Sequence, residues 1–450
     1  MKLTHAVYGS VVALALLLAT GLWKPVATVQ ANSNELAPQF LLDPYWPKPL
    51  PAPVGTDGVA HTWVQGEVAG TCIDQNDHVF TVNRAWEVGL TLNGVLQGNE
   101  SGAINGQDAS ASAIPAPPIV EFDPDGNVVN GFGNAAITQS GSSYGGSVYM
   151  PYGSHGCFVD YQGNVWTGGN GDGIVQKYAH DGGGGVALLQ IGTKGMCDGP
   201  TNNSTGIYPT CGEANDYNSS HTLLNEPADI AVDPGPDPVT GQPGDVYIAD
   251  GYGNHRVVVF DSNGNYLRQF GTKCQSSPCP GGTFGATGGG HPHCVVLGND
   301  GLVYACDRPN SRIEVFDKMG NFLSQIAIGN APGATAGNQA AILKENTRAC
   351  DMDFWPNIDY LAGTSNAAQT YILDADLAND NEWVVSRQTG NIIGALGACG
   401  IAPCPGHEAG HFAYSHTTAS DSMGNVYVAE TITGRRIQRY VPSHSVQPGQ

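Results

Sequence analysis

The sequence predicts an all-β protein, a six-bladed β-propeller closed by a strand from near its N-terminus. Composition, a recurring turn and an incomplete last repeat predict this fold. The chain has 450 residues with 62 Gly, 29 Pro and only 13% charged residues. That composition is typical of many short strands joined by tight turns and argues against a helical bundle. A hydrophobic content of 41% is enough to build a large core.

A turn of the form Asp-x-x-Gly-Asn recurs along the chain. Its copies stand at residues 123–127, 160–164, 261–265, 317–321 and 421–425. Each copy lies between alternating apolar runs, and Gly-Asn supplies the positive φ that a tight hairpin needs. The recurring turn therefore predicts a series of β-hairpins.

The longest repeat unit, residues 229–270, contains four short apolar runs separated by turns. Four consecutive antiparallel strands are the content of one propeller blade. Similar units begin near Gly70, His155, His293, Ala349 and His416. The repeats therefore predict six blades.

The last repeat ends after its third strand, whereas the segment 39–46, ahead of the first repeat, belongs to none. We expect this segment to supply the missing outer strand, because a closed ring leaves no open sheet edge. The predicted organisation is an N-terminal segment with the ring-closing strand at 32–62, the propeller at 63–441 and a polar tail at 442–450.

Residues 1–31 predict a secretory signal peptide. Lys2 precedes an apolar run from about Val11 to Leu22, and a small-residue motif ending at Ala31 resembles a cleavage site. The alternative is an uncleaved anchor helix, but the run is shorter than the ~20 residues that a span needs. We expect a periplasmic or extracellular protein that has no membrane contact after cleavage.

The charge of the chain argues against two classes of partner. There are 40 acidic residues against 18 Lys and Arg, giving a formal net charge of -22. Such a chain is poorly suited to neutralise nucleic-acid phosphates or to bind an anionic membrane. The expected partner is a small-molecule or peptide-derived substrate.

The 11 cysteines fit an oxidising compartment, and the odd number leaves at least one unpaired. Spacing within loops predicts three local disulfides, Cys274 with Cys279, Cys399 with Cys404, and Cys197 with Cys211. Three further cysteines, which lie in apolar strand patterns, are interpreted as small buried hydrophobic residues. They are Cys72, Cys157 and Cys350.

Three of the predicted blades, the second, fourth and sixth, begin with histidine. The residues are His155, His293 and His416, at equivalent positions of the repeat. The first strand of each blade lines the central channel, so alternate blades place these imidazoles around the axis about 120° apart. That arrangement suits a three-histidine metal site with an open coordination position. The alternative interpretation is a polar lining of the channel.

Two further residues belong near these histidines by the same register. Tyr252 follows the second strand of blade three, and Arg84 takes the corresponding place in blade one. A phenol beside a metal can act as a general base, and a guanidinium can hold a carboxylate or stabilise an oxyanion. The alternative for both is a loop residue that caps the channel.

At these residues a family resemblance emerges. The run from Asp245 to Arg256 resembles NHL repeats, and the three histidines with Arg84 and Tyr252 resemble the lyase domain of peptidylglycine alpha-amidating enzymes. The resemblance covers roughly residues 63–441. It implies zinc on the three histidines, Tyr252 as the base that deprotonates the hydroxyl of a hemiaminal substrate, and Arg84 beside it. The products that it implies are an amide and glyoxylate.

The chain departs from the family pattern at two positions. Thr417 stands where the family has an Asp that helps hold a structural calcium, and Tyr414 stands where the family has a Met near the substrate. The resemblance therefore does not carry calcium over to this chain. The three histidines of the family's metal site are retained, whereas residues of the pocket differ. This combination favours a related reaction on a different substrate.

The sequence thus predicts a metal-dependent lyase that cleaves a carbon–nitrogen bond. Copper, nickel and iron also accept imidazole ligands, so the site is better defined than its metal. The first alternative is a non-catalytic NHL propeller that binds a protein or glycan partner. A lactonase-like hydrolase ranks last, because it would need a carboxylate-rich calcium cup. Three loop histidines near the same face, His291, His407 and His411, are interpreted as rim residues.

Overall fold

The structure, a computed structural model, describes residues 37–54, 58–85, 91–92, 95–96, 113–133, 150–199, 218–285, 291–329, 348–356, 368–400, 402–403 and 405–443. The predicted signal peptide at 1–31 and most of the predicted polar tail lie outside these ranges. Within them, the only helices are two 3-10 turns, at Gly183–Gly185 and Arg308–Asn310. No helix in the described part of the chain is long and apolar enough to cross a bilayer.

The first half of the chain supplies thirteen strands. Two precede the first blade: β1 (Phe40–Leu42) and β2 (Thr62–Val64). Blade one follows, with three short strands inserted at its centre: β3 (Val68–Ile73), β4 (Val79–Asn83), β5 (Thr91–Leu92), β6 (Val95–Leu96), β7 (Ala113–Pro115), β8 (Ile119–Phe122) and β9 (Val128–Phe132). Blade two consists of β10 (Ser154–Val159), β11 (Val165–Gly169), β12 (Ile174–Tyr178) and β13 (Leu189–Ile191).

Four more blades follow. Blade three is β14 (Asp229–Pro236), β15 (Pro243–Asp250), β16 (Arg256–Phe260) and β17 (Tyr266–Phe270), followed by the short β18 (Thr272–Lys273) and β19 (Thr283–Phe284). Blade four is β20 (Val295–Leu297), β21 (Val303–Asp307), β22 (Arg312–Phe316) and β23 (Phe322–Ala327). Blade five is β24 (Asp351–Trp355), β25 (Tyr371–Asp376), β26 (Asn381–Ser386) and β27 (Ile392–Ala395). Blade six contributes β28 (Ser415–Ser420), β29 (Val426–Glu430) and β30 (Arg436–Pro442).

Six four-stranded sheets form the propeller, which confirms the predicted fold class. The sixth sheet has the order β1-β30-β29-β28, so the N-terminal strand completes the last blade. β1 pairs antiparallel with β30, and Phe40 lies opposite Pro442. The ring of Phe40 packs edge-to-face on Trp355 of blade five, with the ring centroids 5.3 Å apart. The predicted ring closure is confirmed.

The recurring turn owes its form to its aspartate. In the copy at 261–265, one carboxylate oxygen of Asp261 accepts hydrogen bonds from the backbone N–H groups of Asn263 and Asn265, at 2.9 and 2.8 Å. The other oxygen accepts one from the side chain of Asn265 at 2.9 Å. Gly264 has φ +82°, where a side chain would be strained. The aspartate thus replaces the backbone partners that a tight turn lacks.

The apolar faces of adjacent blades pack on one another and form the core. Between blades two and three, Trp166 and Val175 pack with Ile230 and Ile248, and all four side chains are buried. Because each strand of a blade alternates side chains between two such interfaces, most strands are apolar on both faces. The inner strands surround an axial cavity of about 160 Å³, lined by residues of all six blades.

The disulfides correct one of the sequence interpretations. Cys72 and Cys157, interpreted as free, form a disulfide between the inner strands of blades one and two. The interpretation was wrong because the ring brings together residues that are 85 positions apart in sequence. A further disulfide that the sequence did not reveal joins Cys294 to Cys306 within blade four.

The other cysteines agree with the predictions as far as the structure describes them. Cys274 and Cys279 form the predicted loop disulfide. Cys350 is free and buried, as interpreted. Cys197 and Cys399 are disulfide-bonded. Their predicted partners, Cys211 and Cys404, lie outside the described residues.

Candidate metal centre

The three blade-initial histidines converge on the propeller axis. His155 and His416 are the second residues of β10 and β28, and His293 lies two residues before β20. One nitrogen from each lies within 4.8 Å of the others, and all three residues are buried. The ring centroids are separated by 4.7 to 5.2 Å. The structure therefore brings the predicted ligand set together, while metal binding itself stays a prediction.

Backbone carbonyl groups orient two of these rings. Nδ1 of His155 donates to the carbonyl oxygen of Ala228 at 2.6 Å, and Nδ1 of His293 donates to that of Cys350 at 2.5 Å. A neutral imidazole protonated at Nδ1 carries its lone pair on Nε2, which is the metal-binding form. Nδ1 of His416 is buried and has no hydrogen-bond partner among the described residues.

Burial holds the pKa of each of the three histidines well below the usual range, and the positive charge of Arg308 acts in the same direction on all three. Metal binding requires deprotonated ligands, and these imidazoles are neutral at pH 7 without any metal. Three neutral, buried nitrogen donors fit zinc or another divalent transition metal.

Tyr252, which follows β15, reaches the centre of the histidine group. Its hydroxyl lies 2.8 Å from Nε2 of His293 and 3.3 Å from Nε2 of His155. Burial raises the pKa of Tyr252, and the positive charges of Arg308 and Arg84 only partly oppose that effect. The structure therefore places Tyr252 beside the three histidines, but the protein groups alone do not lower its pKa as a base would require.

Arg84, which follows β4, is buried and held on two sides. Its Nη1 lies 2.9 Å from the carboxylate of Glu67. Its Nε donates to the carbonyl oxygen of Ser154 at 2.8 Å, so the guanidinium is tied to the strand that carries His155. Arg84 thus lies where the sequence predicted, with its charge already balanced by a carboxylate.

Two residues at the centre were not predicted. Arg308 follows β21, and its guanidinium carbon lies 5.6 Å from the ring centroid of Tyr252. The thiol of Cys350 lies 3.7 Å from Nδ1 of His293 and 3.8 Å from Nη1 of Arg308. The register that identified Tyr252 could have identified Arg308, because both follow the final aspartate of a second strand.

Of the three histidines interpreted as rim residues, one is placed differently. His291 is fully buried and stacks on His255, with ring centroids 5.2 Å apart. The rim interpretation was wrong for His291, because its backbone N–H donates to the carbonyl oxygen of Gly251 at 2.8 Å and its ring packs against His255 in the interior. His407 is exposed and His411 is partly exposed, as expected.

The two departures from the family pattern lie in different surroundings. Tyr414 is 37% exposed, two residues before His416, and has φ +61°. The hydroxyl of Thr417 is buried without a hydrogen-bond partner among the described residues. A neutral hydroxyl is a weaker calcium ligand than a carboxylate, so this position gives no support for calcium.

Between the histidine-bearing blades, blades three and five begin with aspartate. Asp351 is buried and Asp229 is partly buried, and both line the axial cavity. Each accepts a backbone hydrogen bond from the next blade, at 3.0 Å from the N–H groups of Val295 and Thr418 respectively. Burial raises the pKa of both carboxyl groups. The two carboxylates thus act as clamps, since each hydrogen-bonds its own blade to the inner strand of the next blade.

Comparison with known proteins agrees with this architecture. The NHL repeat family model matches residues 290–316, which include β20 to β22. Peptidyl-glycine alpha-amidating monooxygenase A of Xenopus laevis is 29% identical over 191 residues, 40% of this chain but only 17% of that protein. The chain thus corresponds to a small part of that relative.

For two other relatives, the matched region covers a larger share of the relative's own length. A probable peptidyl-alpha-hydroxyglycine alpha-amidating lyase of Caenorhabditis elegans is 22% identical over 255 residues, 56% of this chain and 55% of that protein. NHL repeat-containing protein 3 of Homo sapiens is 26% identical over 314 residues, 67% of this chain and 70% of that protein. The chain is a six-bladed propeller that contains a match to the NHL repeat and has distant similarity to the amidating enzymes.

Proposed function

We propose that this NHL-repeat propeller, which resembles the amidating enzymes and their lyases, is a secreted or periplasmic metal-dependent lyase acting on a small hydroxylated, hemiaminal-type substrate. One observation carries the proposal. Three neutral imidazoles from alternate blades meet within 4.8 Å, and a phenol lies 2.8 Å from one of them in the same channel. A purely structural role does not require this combination.

His155, His293 and His416 would hold the metal, most simply zinc. When bound, a divalent metal there would polarise the hydroxyl oxygen of the substrate and lower the pKa of nearby acids. The carbonyl groups that accept Nδ1–H from His155 and His293 keep both Nε2 lone pairs directed at the centre. The ligand geometry is therefore set before any ligand binds.

Tyr252 is the proposed base. It would accept the proton of the substrate hydroxyl; the carbon–oxygen double bond then forms as the carbon–nitrogen bond breaks, and the proton passes to the departing amide nitrogen. The products are an amide and an aldehyde, which for a hydroxyglycine substrate is glyoxylate. Arg308 and Arg84 favour the phenolate through their positive charge. A carboxylate on the substrate would meet the same positive charge.

The metal is tested by elemental analysis of the native protein beside a His293→Ala variant. We expect about one equivalent in the native protein and a loss of at least tenfold in the variant, because two imidazoles rarely retain zinc. His407→Ala, an exposed histidine of the same face, is the matched control and keeps its metal. Equal metal contents in the native protein and His293→Ala would refute the metal centre.

The reaction is tested with alpha-hydroxyglycine amides and related hemiaminals. Loss of general-base catalysis in Tyr252→Phe should reduce kcat by about 10²- to 10⁴-fold while the metal is retained. Arg84→Ala should also lower activity. A metal-loaded wild type that is inactive on every hemiaminal would remove the lyase assignment and leave only the site.

A second candidate function is a non-catalytic propeller that binds a protein or glycan partner. The match to human NHL repeat-containing protein 3 favours it, since that match covers 70% of the relative's length. It predicts no bound metal and no effect of Tyr252→Phe on partner binding. The lactonase-like alternative stays last, because Asp229 and Asp351 are already used as clamps between blades.

Secretion is part of the same proposal. Disulfides such as Cys72–Cys157 persist in oxidising compartments, which agrees with export. N-terminal sequencing of the mature protein should show cleavage near residue 31, and intact mass should show the cysteines oxidised except for Cys350, which is free.

A further inference from the structure

A buried carboxylate, that of Glu67, pairs with Arg84 and has no role in the proposed lyase reaction. Glu67 lies just before β3 and is fully buried. One of its oxygens, Oε2, lies 2.9 Å from Nη1 of Arg84. The other, Oε1, is buried without a hydrogen-bond partner among the described residues. Burying a carboxylate costs desolvation free energy, which only a favourable interaction with a buried partner charge offsets.

The partner, Arg84, is hydrogen-bonded to the strand that carries His155. Arg84 donates to the carbonyl oxygen of Ser154, the residue before His155. Its positive charge is one of the causes that lower the pKa of His155 and of His416. The same positive charge would repel a divalent cation held by those rings, because charges interact strongly where water is excluded.

We propose that Glu67 is a charge-balancing and positioning residue of the metal centre: its carboxylate neutralises Arg84 and holds it in place, so that the three histidines can bind a divalent cation beside a buried arginine. This inference rests on the proposed metal centre. It assigns Glu67 no contact with metal or substrate, since the residue acts through Arg84.

The ion pair of Glu314 with Arg312 provides a matched comparison. Its Oε1 lies 2.8 Å from Nη2 of Arg312, and both side chains are almost fully buried. Both residues lie on β22, the third strand of blade four, away from the inner strands that carry the histidines. A change at Glu314 therefore removes a buried carboxylate beside an arginine without changing the charge at the metal centre, while Arg312 keeps its second partner, Asp307, at 2.8 Å.

The test is zinc affinity, measured by competition with a chromophoric chelator at pH 7.5 on folded protein, with thermal unfolding as a check of integrity. Glu67→Gln should weaken zinc binding at least about tenfold, as for supporting residues of other metal sites. Arg84→Gln, which leaves the carboxylate unopposed, should bind zinc as tightly as wild type or more tightly. Glu314→Gln should leave zinc affinity within about twofold of wild type.

The decisive variant is the double change Glu67→Gln/Arg84→Gln. If the carboxylate acts by balancing the arginine, removing both charges should restore zinc affinity to within about twofold of wild type. A double variant as weak as Glu67→Gln, or wild-type affinity in Glu67→Gln, would overturn the inference. If Glu67→Gln does not fold, Arg84→Gln and the double variant still decide, because weaker binding in both contradicts charge balance.

The outcomes separate this inference from the proposed function. A wild-type protein that binds no zinc refutes the metal centre and the inference together. A wild type that binds zinc with Glu67→Gln unaffected refutes the inference alone. If the variants show the predicted order of zinc affinities while the wild type is inactive on hemiaminals, that result supports the inference and refutes the lyase assignment.

Discussion

The disulfide between blades one and two should be the most stabilising of those described. Cys72 lies in β3 and Cys157 in β10, and their bond closes a loop with a sequence separation of 85. The bond between Cys274 and Cys279 closes a loop with a separation of 5. The two bonds therefore differ mainly in how far they restrict the unfolded chain.

The loop lengths give the expected magnitudes. In the chain-entropy treatment, closing the longer loop stabilises the fold by about 4.6 kcal/mol at 25 °C, and closing the shorter loop by about 2.2 kcal/mol. With an unfolding entropy of about 2.1 cal/mol/K per residue over roughly 400 residues, these values correspond to Tm changes of about 5 °C and about 2.5 °C.

Calorimetry of two double variants tests this prediction. Cys72→Ala/Cys157→Ala should lower Tm about twice as far as Cys274→Ala/Cys279→Ala, with reversibility checked by a second scan. Equal Tm changes in the two variants, or a larger change in the short-loop variant, would show that the unfolded-chain argument fails here.

Three further predictions concern the ring, the metal and pH. Phe40→Ala should lower the free energy of unfolding, measured by urea titration, by about 2 kcal/mol, because Phe40 packs on Trp355. The control Leu41→Ala, at a 61% exposed position, should change it by less than about 0.5 kcal/mol. Chelation of a metal present at about 100 times its Kd should remove about 2.7 kcal/mol, a Tm decrease of about 3 °C that is absent in His293→Ala. His416 is neutral when folded because burial lowers its pKa, whereas the unfolded residue is protonated below about pH 6.5, so stability is lost as pH falls. Metal-free wild type should therefore lose about 1.4 kcal/mol more per pH unit below 6.5 than His416→Asn, and equal slopes in urea titrations at pH 7.0 and 5.5 would contradict this.

The sequence predicts the ring well because the repeat is local. Each Asp-x-x-Gly-Asn turn is specified by residues four positions apart and marks a hairpin in five of the six blades. The number of blades and the missing outer strand follow from counting the repeat units. The blade register then places His155, His293 and His416 at equivalent positions, and the propeller symmetry makes them meet. None of these steps needs knowledge of a long-range contact.

The contacts between blades could not be predicted in that way. The pairing of Cys72 with Cys157 depends on how closely two inner strands approach, and the apolar pattern around each cysteine is equally typical of a free thiol. The pairing of Glu67 with Arg84 crosses 17 positions and has no spacing signal. Arg308 differs, because it follows the second strand of blade four as Tyr252 follows that of blade three, so the blade register indicates its position.

The pairing of β1 with β30 brings the two ends of the propeller within one hydrogen bond of each other. The backbone N–H of Ser443 donates to the carbonyl oxygen of Gln39 at 2.7 Å. A ribosome or export channel that delivers the chain from its N-terminus must therefore release nearly all of the domain before the last blade is complete. For the same reason the domain is suited to circular permutation: a short peptide joining these ends, with new termini in the exposed turn at 261–265, would preserve the cyclic order of all six blades.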